Sequence, residues 1–360
     1  MARKKILFVV EAMGGGVFTY IVDMANELVK KYDMYIAYAV RKQTPGNYMD
    51  YFDKRVQLIH VDSLKRAISP VHDVIALFTL RKLAKHIGPD VIHLHSSKAG
   101  ALGRIAFQNY GIPLFYTPHG YSFLMKNHGP AKRYLYRIIE HLCGQLNCMT
   151  ISCSSGEYLE SLKLTRRAAC VDNGINLEIL QKEIDAGLID AATDKNKKHD
   201  FTVFTLGRIC YQKNPGLFNA IAEALPDIHF LWIGDGELRD KLYSSNITIT
   251  GWVDRSRAIR LSLSADVFLL TSLWEGLPMS LLEAMYMKKP CVVSNVIGNR
   301  DVIKQGINGY VCENALEFIG AIKEIQERFP YDLTEAAYAS VCSHYNVFEM
   351  VKQYEQLYFP

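Results

Sequence analysis

Two glutamates, Glu275 and Glu283, flank the start of a helix that the sequence predicts at residue 278. The first amides of such a helix, those of Met279 and Ser280, point out of its positive end and favour an anion. Carboxylates beside a bound phosphate would repel it, so we expect both glutamates to bind neutral hydroxyls next to it. Together these residues predict a pocket for a phosphate flanked by sugars.

Two cations follow a predicted strand over residues 201–206. Arg208 comes after Gly207 at the strand end, and Lys213 precedes the next predicted helix. Both are placed to neutralise a diphosphate leaving group. Cationic side chains stabilise a reaction most where negative charge develops, and in such a transfer it develops on the leaving diphosphate. The alternative for each is an ordinary surface cation.

Two histidines close predicted strands in the first half of the chain. His95 ends a strand over 90–95 and shares one face of it with His93. This pair could ligate a metal, but no third ligand is visible nearby, so we expect no metal site. His119 follows the next strand within Pro-His-Gly, a place suited to a ligand, although a lone histidine is often structural.

Alternating strand and helix periods predict the elements that hold these residues. A strand, a loop, a helix and a parallel strand are expected over 267–270, 271–277, 278–287 and 291–294, as in a βαβ unit. A second such start combines a strand over 6–10 with glycines 14–16 and a helix over 17–31. Thr19 interrupts a dinucleotide fingerprint there, so we expect Gly15 and Gly16 to let a ligand approach the backbone and not to bind NAD.

The string W-E-G-L-P-M-S-L-L-E-A-M at residues 274–285, followed by P-C-V-V-S, resembles the E-x7-E signature of retaining glycosyltransferases with the GT-B fold, particularly the family 4 group. The resemblance implies that Glu275 contacts hydroxyls of the donor sugar and that Glu283 holds the ribose hydroxyls of the nucleotide. The string G-R-I-C-Y-Q-K-N at residues 207–214 is similar to a second family motif. It implies that Arg208 and Lys213 bind the diphosphate without a metal ion.

Further matches extend the sites that the resemblance implies. In the family the glycine loop faces the diphosphate and the acceptor, the histidine of P-H-G contacts the donor sugar, and the backbone near G-W-V reads the base. The implied catalytic residues are His119, Glu275, Arg208 and Lys213. The implied nucleotide-sugar site comprises Gly15, Gly16, Gly207, Arg208, Lys213, Gly234, Trp252, Val253, Glu275, Met279, Ser280 and Glu283.

The acceptor side is expected in the first half of the chain. His95 belongs to the string D-V-I-H-L-H, whose loop lines the acceptor side in the family. Lys126 and Arg133 lie in a basic, aromatic-rich segment over 121–137, which suits a membrane interface or a lipid-linked substrate. Asn299 and Asp301 depart from the residues that are usual in the family at their positions.

A chain of 360 residues is long enough for two domains. The resemblance implies the α/β GT-B fold, in which two Rossmann-like doubly wound domains face a central cleft and a C-terminal helix crosses back to the first. We expect an acceptor-side domain over 1–180, a linker over 181–200 and a nucleotide-sugar domain over 201–339, with the returning helix at about 340–360. Glu140 is expected to begin a helix, and the last helix is expected over 333–359.

Charge is unevenly spread along the chain. Residues 1–180 carry 23 Lys and Arg against 14 Asp and Glu, whereas the net charge of the whole chain is only +4. An anionic membrane surface or a lipid diphosphate would fit this excess, and chance imbalance is the alternative. No apolar run reaches a membrane span, and eight scattered cysteines suit reduced core thiols. We therefore expect a cytoplasmic protein, placed at the inner face of the membrane if that contact exists.

The expected function is retaining, metal-independent transfer of a hexose-type sugar from a nucleoside diphosphate sugar, with UDP-sugar preferred, to a glycan or lipid-linked acceptor in surface polysaccharide assembly. No cofactor and no nucleic-acid partner are expected. A nucleotide-sugar epimerase on the same scaffold and a non-catalytic nucleotide-sugar-binding subunit are the alternatives, and the interrupted fingerprint argues against an NAD-dependent dehydrogenase.

Overall fold

The computed structural model describes residues 2–11, 13–41, 43–65, 69–191 and 200–360. The chain divides into two compact units. The first contains the residues up to Asn173 together with Val347–Pro360, and the second is Gly174–Asn346. The boundary between the units lies between Asn173 and Gly174. The sequence analysis places the end of the first domain a few residues later, at residue 180.

A parallel sheet of seven strands forms the centre of the first unit. Its strands are β1 (Lys5–Val10), β2 (Asp33–Tyr38), β3 (Gln57–His60), β4 (Val91–His95), β5 (Leu114–Thr117), β6 (Met149–Ser152) and β7 (Ala168–Cys170). They lie side by side in the order β3-β2-β1-β4-β5-β6-β7. The central strands are almost continuous apolar runs because both of their faces are covered. The register sets His95 beside Val10 on one side and Thr117 on the other, so the ends of these strands form one edge.

Five helices follow the strands of this unit: α1 (Gly15–Leu28), α2 (Pro70–Ile87), α3 (Ser97–Ala106), α4 (Pro130–Gly144) and α5 (Ser155–Leu162). Proline at the first helical position fits the starts of α2 and α4, since the ring fixes φ and the missing N–H has no helical partner there. The expectation that Glu140 begins a helix is wrong. Glu140 lies in the last turns of α4, where its buried carboxylate accepts hydrogen bonds from Arg104 Nη2 at 2.6 Å and Tyr116 Oη at 2.8 Å.

The second unit has a six-stranded parallel sheet. Its strands are β8 (Thr202–Leu206), β9 (His229–Ile233), β10 (Ile247–Ile249), β11 (Val267–Leu270), β12 (Cys291–Ser294) and β13 (Tyr310–Cys312). Their order is β10-β9-β8-β11-β12-β13, so β8 and β11 are neighbours at the point where the order reverses. In open parallel sheets this switch point is where ligands bind. Arg208 follows β8 and Glu275 follows β11, so the topology brings their loops together.

The helices of the second unit are α6 (Leu177–Ala191), α7 (Pro215–Ala224), α8 (Arg255–Leu263), α9 (Met279–Tyr286), α10 (Asn299–Val302), α11 (Ala315–Glu327) and α12 (Tyr331–Ser343). Helix α6 occupies most of the segment expected as a linker over 181–200, and residues 192–199 of that segment lie outside the described residues. The helix packs against α8, which makes it part of the second unit. Its polar sequence hides this role because only a few of its positions between 177 and 188, such as Leu180 and Ile184, are buried.

The chain ends with α13 (Val347–Tyr358), which belongs to the first unit. Its buried face includes Met350, Tyr354 and Tyr358, which join the core formed with α1 and the sheet. The single helix expected over 333–359 is in fact two, α12 and α13. They are separated where the backbone N–H of Ile175 donates to Tyr345 O at 3.0 Å.

Two parallel α/β units and a final helix that returns to the first confirm the expected fold class. Each unit has its own core, with Phe8, Ile36 and Tyr354 in the first and Phe218 and Trp232 in the second. All eight cysteines are free thiols, and six of them are buried. None of the described helices combines the length and the apolar character needed to cross a bilayer.

Candidate active site

The carboxylate of Glu275, in the loop between β11 and α9, is held by three side chains. The residue as a whole is only 7% exposed. Oε1 accepts from Lys213 Nζ and from Ser272 Oγ, both at 2.7 Å, and Oε2 accepts from Gln212 Nε2 at 3.1 Å. Because a carboxylate has about four acceptor positions, roughly one is left for a sugar hydroxyl. The structure thus joins Glu275 and Lys213, which were predicted separately, in one ion pair.

The loops after β8 and β11 are tied together by further hydrogen bonds. Lys213 ends a short 3-10 turn, Tyr211–Lys213. Its carbonyl accepts from Thr271 Oγ1 at 2.8 Å, and the backbone N–H of Leu273 donates to Gln212 O at 2.8 Å. These bonds fix the position of Lys213 relative to the loop that carries the Glu275 carboxylate.

Arg208 differs from Lys213 in its bonding. Within the described residues its half-buried guanidinium has no hydrogen-bond or ion-pair partner, so its charge is available to an anion. The preceding Gly207 has φ +148, and its carbonyl accepts from Trp232 Nε1 at 2.9 Å. A Cβ on Gly234 would lie 2.2 Å from that same carbonyl oxygen, so only glycine fits where these two loops cross.

The other residues expected at the donor site lie on the same unit. Helix α9 begins at Met279, so the amides of Met279 and Ser280 precede its internal hydrogen bonds, as expected for an anion site. Trp252 and Val253 follow β10 and Gly251. Trp252, which the resemblance places at the nucleotide-sugar site, is 65% exposed, so its indole offers a flat surface to a ligand.

Glu283 is buried on α9 and forms an ion pair that the sequence did not indicate. Arg255 Nη1 donates to Glu283 Oε1 at 2.7 Å, and Arg255 Nε donates to Glu183 on α6 at 2.9 Å. Burial raises the pKa of Glu183, the charge of Glu283 adds to the rise, and Arg255 opposes it. Arg255 therefore orients the carboxylate expected to hold the ribose. No sequence signal identifies this contact, since the partners are far apart in the chain.

In the first unit, His95 and His119 are hydrogen-bonded to each other. His95 Nδ1 and His119 Nε2 are 3.1 Å apart, and the two rings are nearly parallel. His95 is fully buried, so its expected contact with an acceptor is not available in this structure. Burial lowers the pKa of His95 well below its usual range and that of His119 to about 3. Both imidazoles are therefore neutral at neutral pH.

The loop that carries His119 is anchored by the buried carboxylate of Glu157. His119 has φ +55, a backbone conformation that non-glycine residues rarely adopt. The next backbone N–H, that of Gly120, donates to Glu157 Oε1 at 2.7 Å, and Cys153 N donates to Glu157 Oε2 at 2.9 Å. Burial raises the pKa of Glu157. This buried carboxylate holds the loop in its strained form and was not predicted.

Among the described residues, neither of the two basic residues expected on the acceptor side is hydrogen-bonded to His95. Arg133 Nε donates to Phe123 O at 2.9 Å and so braces the turn before α4, while Lys126 is exposed. A cavity of about 550 Å³ lies instead at the ends of β1, β2 and β3. Its lining includes Glu11 and Arg41, which form an ion pair at 2.5 Å.

The helix after β1 begins two residues before the predicted start at residue 17, so Gly15 and Gly16 belong to the helix and not to the loop. Helix α1 begins at Gly15, which has φ +58, and Gly16 follows within its first turn. A Cβ on Gly15 would meet no atom within 4 Å, so its backbone is open on that side. Among the described residues, no three His, Cys, Asp or Glu side chains are grouped as metal ligands. His93 instead bonds Tyr358 Oη and Thr117 Oγ1.

Two family models match this chain. The model described as Glycosyltransferase Family 4 matches residues 14–179, and the one described as Glycosyl transferases group 1 matches residues 200–328. The first match covers most of the first unit and the first few residues of the second, and the other match lies within the second unit. Together they cover most of the chain.

Relatives and solved structures agree with these matches. UDP-Gal:alpha-D-GlcNAc-diphosphoundecaprenol alpha-1,3-galactosyltransferase of Escherichia coli is 29% identical over 340 residues, covering 87% of this chain and 86% of the relative. The crystal structure of Anabaena HepE with UDP and glucose has a TM-score of 0.78 at 17% identity and covers 98% of both chains. Sucrose-phosphate synthase of Thermosynechococcus elongatus has a TM-score of 0.80 at 16% identity, covering 99% of this chain and 98% of that one. These structural likenesses show the same fold.

Proposed function

Because the chain belongs to the family 4 group of glycosyltransferases, we propose that it moves a hexose-type sugar from a nucleoside diphosphate sugar to a glycan or lipid-linked acceptor in surface polysaccharide biosynthesis. UDP-sugar is the donor we expect. The transfer retains the anomeric configuration and needs no metal ion. The block formed by Arg208, Lys213 and Glu275 after β8 and β11 carries this proposal.

That block offers one chemical group for each part of a sugar diphosphate. Arg208 and Lys213 face the diphosphate, and the start of α9 adds the partial positive charge of its first amides. Glu275 accepts a hydroxyl of the sugar, and Glu283, held by Arg255, accepts from the ribose. Cations at the phosphates and carboxylates at the hydroxyls match the charge pattern of this ligand and would suit few others.

The reaction we propose is a front-face displacement at the anomeric carbon. The acceptor oxygen bonds to this carbon as the bond from carbon to the diphosphate oxygen breaks, and the acceptor proton passes to the leaving diphosphate. Negative charge grows on the diphosphate during this step, so Arg208 and Lys213 stabilise the transition state more than the bound donor. His119 is proposed to orient the transferred sugar.

The acceptor is proposed to carry a lipid diphosphate. The name of the E. coli relative supports this, since it gives GlcNAc-diphosphoundecaprenol as the acceptor of that enzyme. Gly15 and Gly16 at the open start of α1, and the cavity beside Glu11 and Arg41, are the parts of the first unit that we assign to the acceptor. We also propose that Lys126 and Arg133 lie on the acceptor side.

Peripheral contact with an anionic bilayer is proposed for α4. The helix exposes four apolar side chains, Tyr134, Leu135, Ile138 and Leu142. The exposed cations Lys132 and Arg137 lie on the same helix. An apolar face with basic neighbours is the pattern of a helix that lies in the surface of a membrane with negative lipids. This would place the protein at the inner face of the membrane, where its lipid-linked acceptor is available.

An epimerase would bind the same donor but would convert it without any acceptor, and a non-catalytic subunit would bind it without turnover. The test is thermal stabilisation by UDP, GDP, ADP and NADH, because a ligand that binds only the folded state raises its stability. We expect UDP to act most strongly and to lose effect in Glu283→Gln but not in Glu327→Gln, an exposed control on α11. Transfer from UDP-hexose to a lipid-linked sugar, with NMR of the product's anomeric proton, then tests turnover and retention. Stabilisation by NADH alone, or conversion of UDP-hexose without acceptor, would overturn the proposal.

A further inference from the structure

The pair His95 and His119 contains one hydrogen bond and two ring nitrogens left over. His95 Nδ1 and His119 Nε2 are 3.1 Å apart, so one of them carries the hydrogen and the other accepts it. Burial keeps both rings neutral, so each ring has a single N–H. Whichever nitrogen donates therefore decides where the hydrogen of the partner ring lies.

The surroundings of His95 decide this choice. Its other nitrogen, Nε2, is buried and has no hydrogen-bond partner among the described residues. If His119 donated, His95 would have to hold its hydrogen on Nε2, as a buried N–H without an acceptor. Such orphaned donors are rarer in proteins than acceptors that lack a donor. The favoured arrangement has His95 Nδ1–H donating to His119 Nε2, which leaves the hydrogen of His119 on Nδ1.

The ring of His119 is held for this purpose. The strained φ of +55 is fixed by the bond from Gly120 N to Glu157, and the Tyr20 ring meets the His119 ring edge-on with centroids 4.6 Å apart. Nδ1 of His119 has no partner within the part of the chain that the structure describes. A fixed ring therefore presents one N–H that no described residue uses.

We propose that His95 is a positioning residue that fixes His119 as its Nδ1–H form, so that His119 offers a hydrogen-bond donor, and not a base, to an oxygen of the transferred sugar. The sugar contact rests on the proposed function, whereas the pairing of the two histidines does not. In this arrangement the acceptor hydroxyl cannot pass its proton to His119, because Nε2 already accepts from His95. This agrees with transfer of that proton to the leaving diphosphate.

His93 provides a matched control. It lies on the same strand face as His95, is equally buried, and their ring centroids are 4.0 Å apart. Its nitrogens bond Tyr358 Oη at 2.5 Å and Thr117 Oγ1 at 2.8 Å, and not His119. Replacing His93 disturbs the same core without touching the hydrogen bond in question.

The test is a long-range ¹H–¹⁵N spectrum of protein labelled at histidine, with the His119 signals identified by their loss in His119→Gln. We expect Nδ1 of His119 to be protonated in the wild type and in His95→Asn, whose amide can still donate. In His95→Leu the hydrogen should distribute between both nitrogens, and in His93→Asn it should stay on Nδ1. Protonation of Nε2 in the wild type would overturn the proposal, as would an unchanged spectrum in His95→Leu.

Activity measurements address the second half of the proposal. The kcat of sugar transfer should fall about tenfold in His95→Leu, the scale of one lost orienting hydrogen bond, and should recover in His95→Asn. Far-UV circular dichroism and urea unfolding, compared with the wild type, show whether the first unit of the variant, which contains His95, is folded. Stabilisation by UDP, which we propose binds the second unit, should not change. Unchanged kcat in His95→Leu would overturn the positioning role. The spectrum needs no substrate, so it distinguishes failure of the pairing from failure of the proposed transfer.

Discussion

Lys213 Nζ lies 2.7 Å from Glu275 Oε1, so the cation expected at the diphosphate and the carboxylate expected at the sugar neutralise each other in the free protein. Only 8% of the Glu275 side chain is exposed, and the pair is therefore poorly screened by solvent. A bound diphosphate would compete with Glu275 for Lys213. Donor binding and the orientation of Glu275 should consequently depend on each other.

Glu275→Gln should separate binding from transfer. The amide keeps the size of the side chain but no longer holds the charge of Lys213, so UDP should bind at least as tightly as in the wild type. Transfer should fall about 100-fold because the sugar loses its orienting carboxylate. Isothermal titration with UDP and initial rates of transfer measure the two effects. Weaker UDP binding together with normal transfer would contradict this role of the pair.

Arg208→Ala should lower kcat by about 10²-fold or more, since removal of one group that stabilises developing charge costs that much in other enzymes. Arg208→Lys should recover part of the rate. The control is Arg239→Ala in the same unit, where an exposed arginine pairs with Asp235 at 3.2 Å. Steady-state kinetics with saturating acceptor give the comparison. Equal losses in both alanine variants would argue against a specific role for Arg208.

Arg255→Met should destabilise the second unit by about 1–3 kcal/mol, because Glu183 and Glu283 lose hydrogen bonds to a charged group. All three tryptophans, Trp232, Trp252 and Trp274, lie in this unit, so tryptophan fluorescence during urea unfolding reports on it alone.

Adding Glu183→Gln to Arg255→Met should restore part of this stability, since one of the two unpaired charges is then removed. UDP should bind more weakly than in the wild type both in Arg255→Met and in the double variant, because Glu283 has lost its orienting partner in each. Purely additive losses would show that the three charges do not interact.

Stability of the first unit should fall as the pH falls. Burial lowers the pKa of His93, His95 and His119, the last to about 3, whereas an unfolded imidazole titrates near 6.5. Between these values the unfolded chain binds more protons, so acid favours unfolding by up to about 2 kcal/mol per histidine from about pH 7 to about pH 5. The raised pKa of Glu157 acts in the opposite direction.

Urea unfolding followed by circular dichroism at the two pH values measures this dependence. His95→Asn should show a shallower loss of stability with acid than the wild type, since one of the three groups is gone. A surface histidine such as His86, in the last turn of α2, gives the control variant His86→Asn, which should keep the wild-type dependence.

Ile138→Asp with Leu142→Asp should abolish sedimentation of the protein with liposomes that contain anionic lipid, because two charges enter the apolar face of α4. Leu316→Asp, at an exposed leucine on α11 of the second unit, is the matched control and should leave sedimentation unchanged. Binding to neutral liposomes should be weaker than to anionic ones. If the wild type does not sediment with anionic liposomes at all, the membrane contact is wrong.

The buried strands were predictable because parallel strands covered on both faces are short apolar runs between turn signals. The strands Val267–Leu270 and Cys291–Ser294 match the sequence expectation residue for residue. Helix starts were harder to place. The Gly-Pro pair before α4 marks its beginning, but the basic segment around it obscured the helical period.

The charged contacts of the site were not predictable. Glu275 and Lys213 each carried a motif, but their bond to each other depends on the neighbouring positions of β8 and β11 in the sheet. Arg255 and Glu183 carried no motif, and only the packing of α6 on α8 brings them together. His95 was expected to face the acceptor, but it is fully buried. The sequence shows that His95 ends a strand and does not show whether a residue at a strand end is buried.

The position of α13 in the first unit has a consequence for synthesis of the protein. The sheet and α1 of that unit leave the ribosome before the second unit, yet the core they form needs Met350, Tyr354 and Tyr358 from the last helix. At translation rates of about 5–20 residues per second, the intervening second unit takes roughly 10–35 s to make. The nascent first unit must therefore wait with an apolar groove open, a natural binding site for a chaperone, while the second unit can fold as soon as its own residues have emerged.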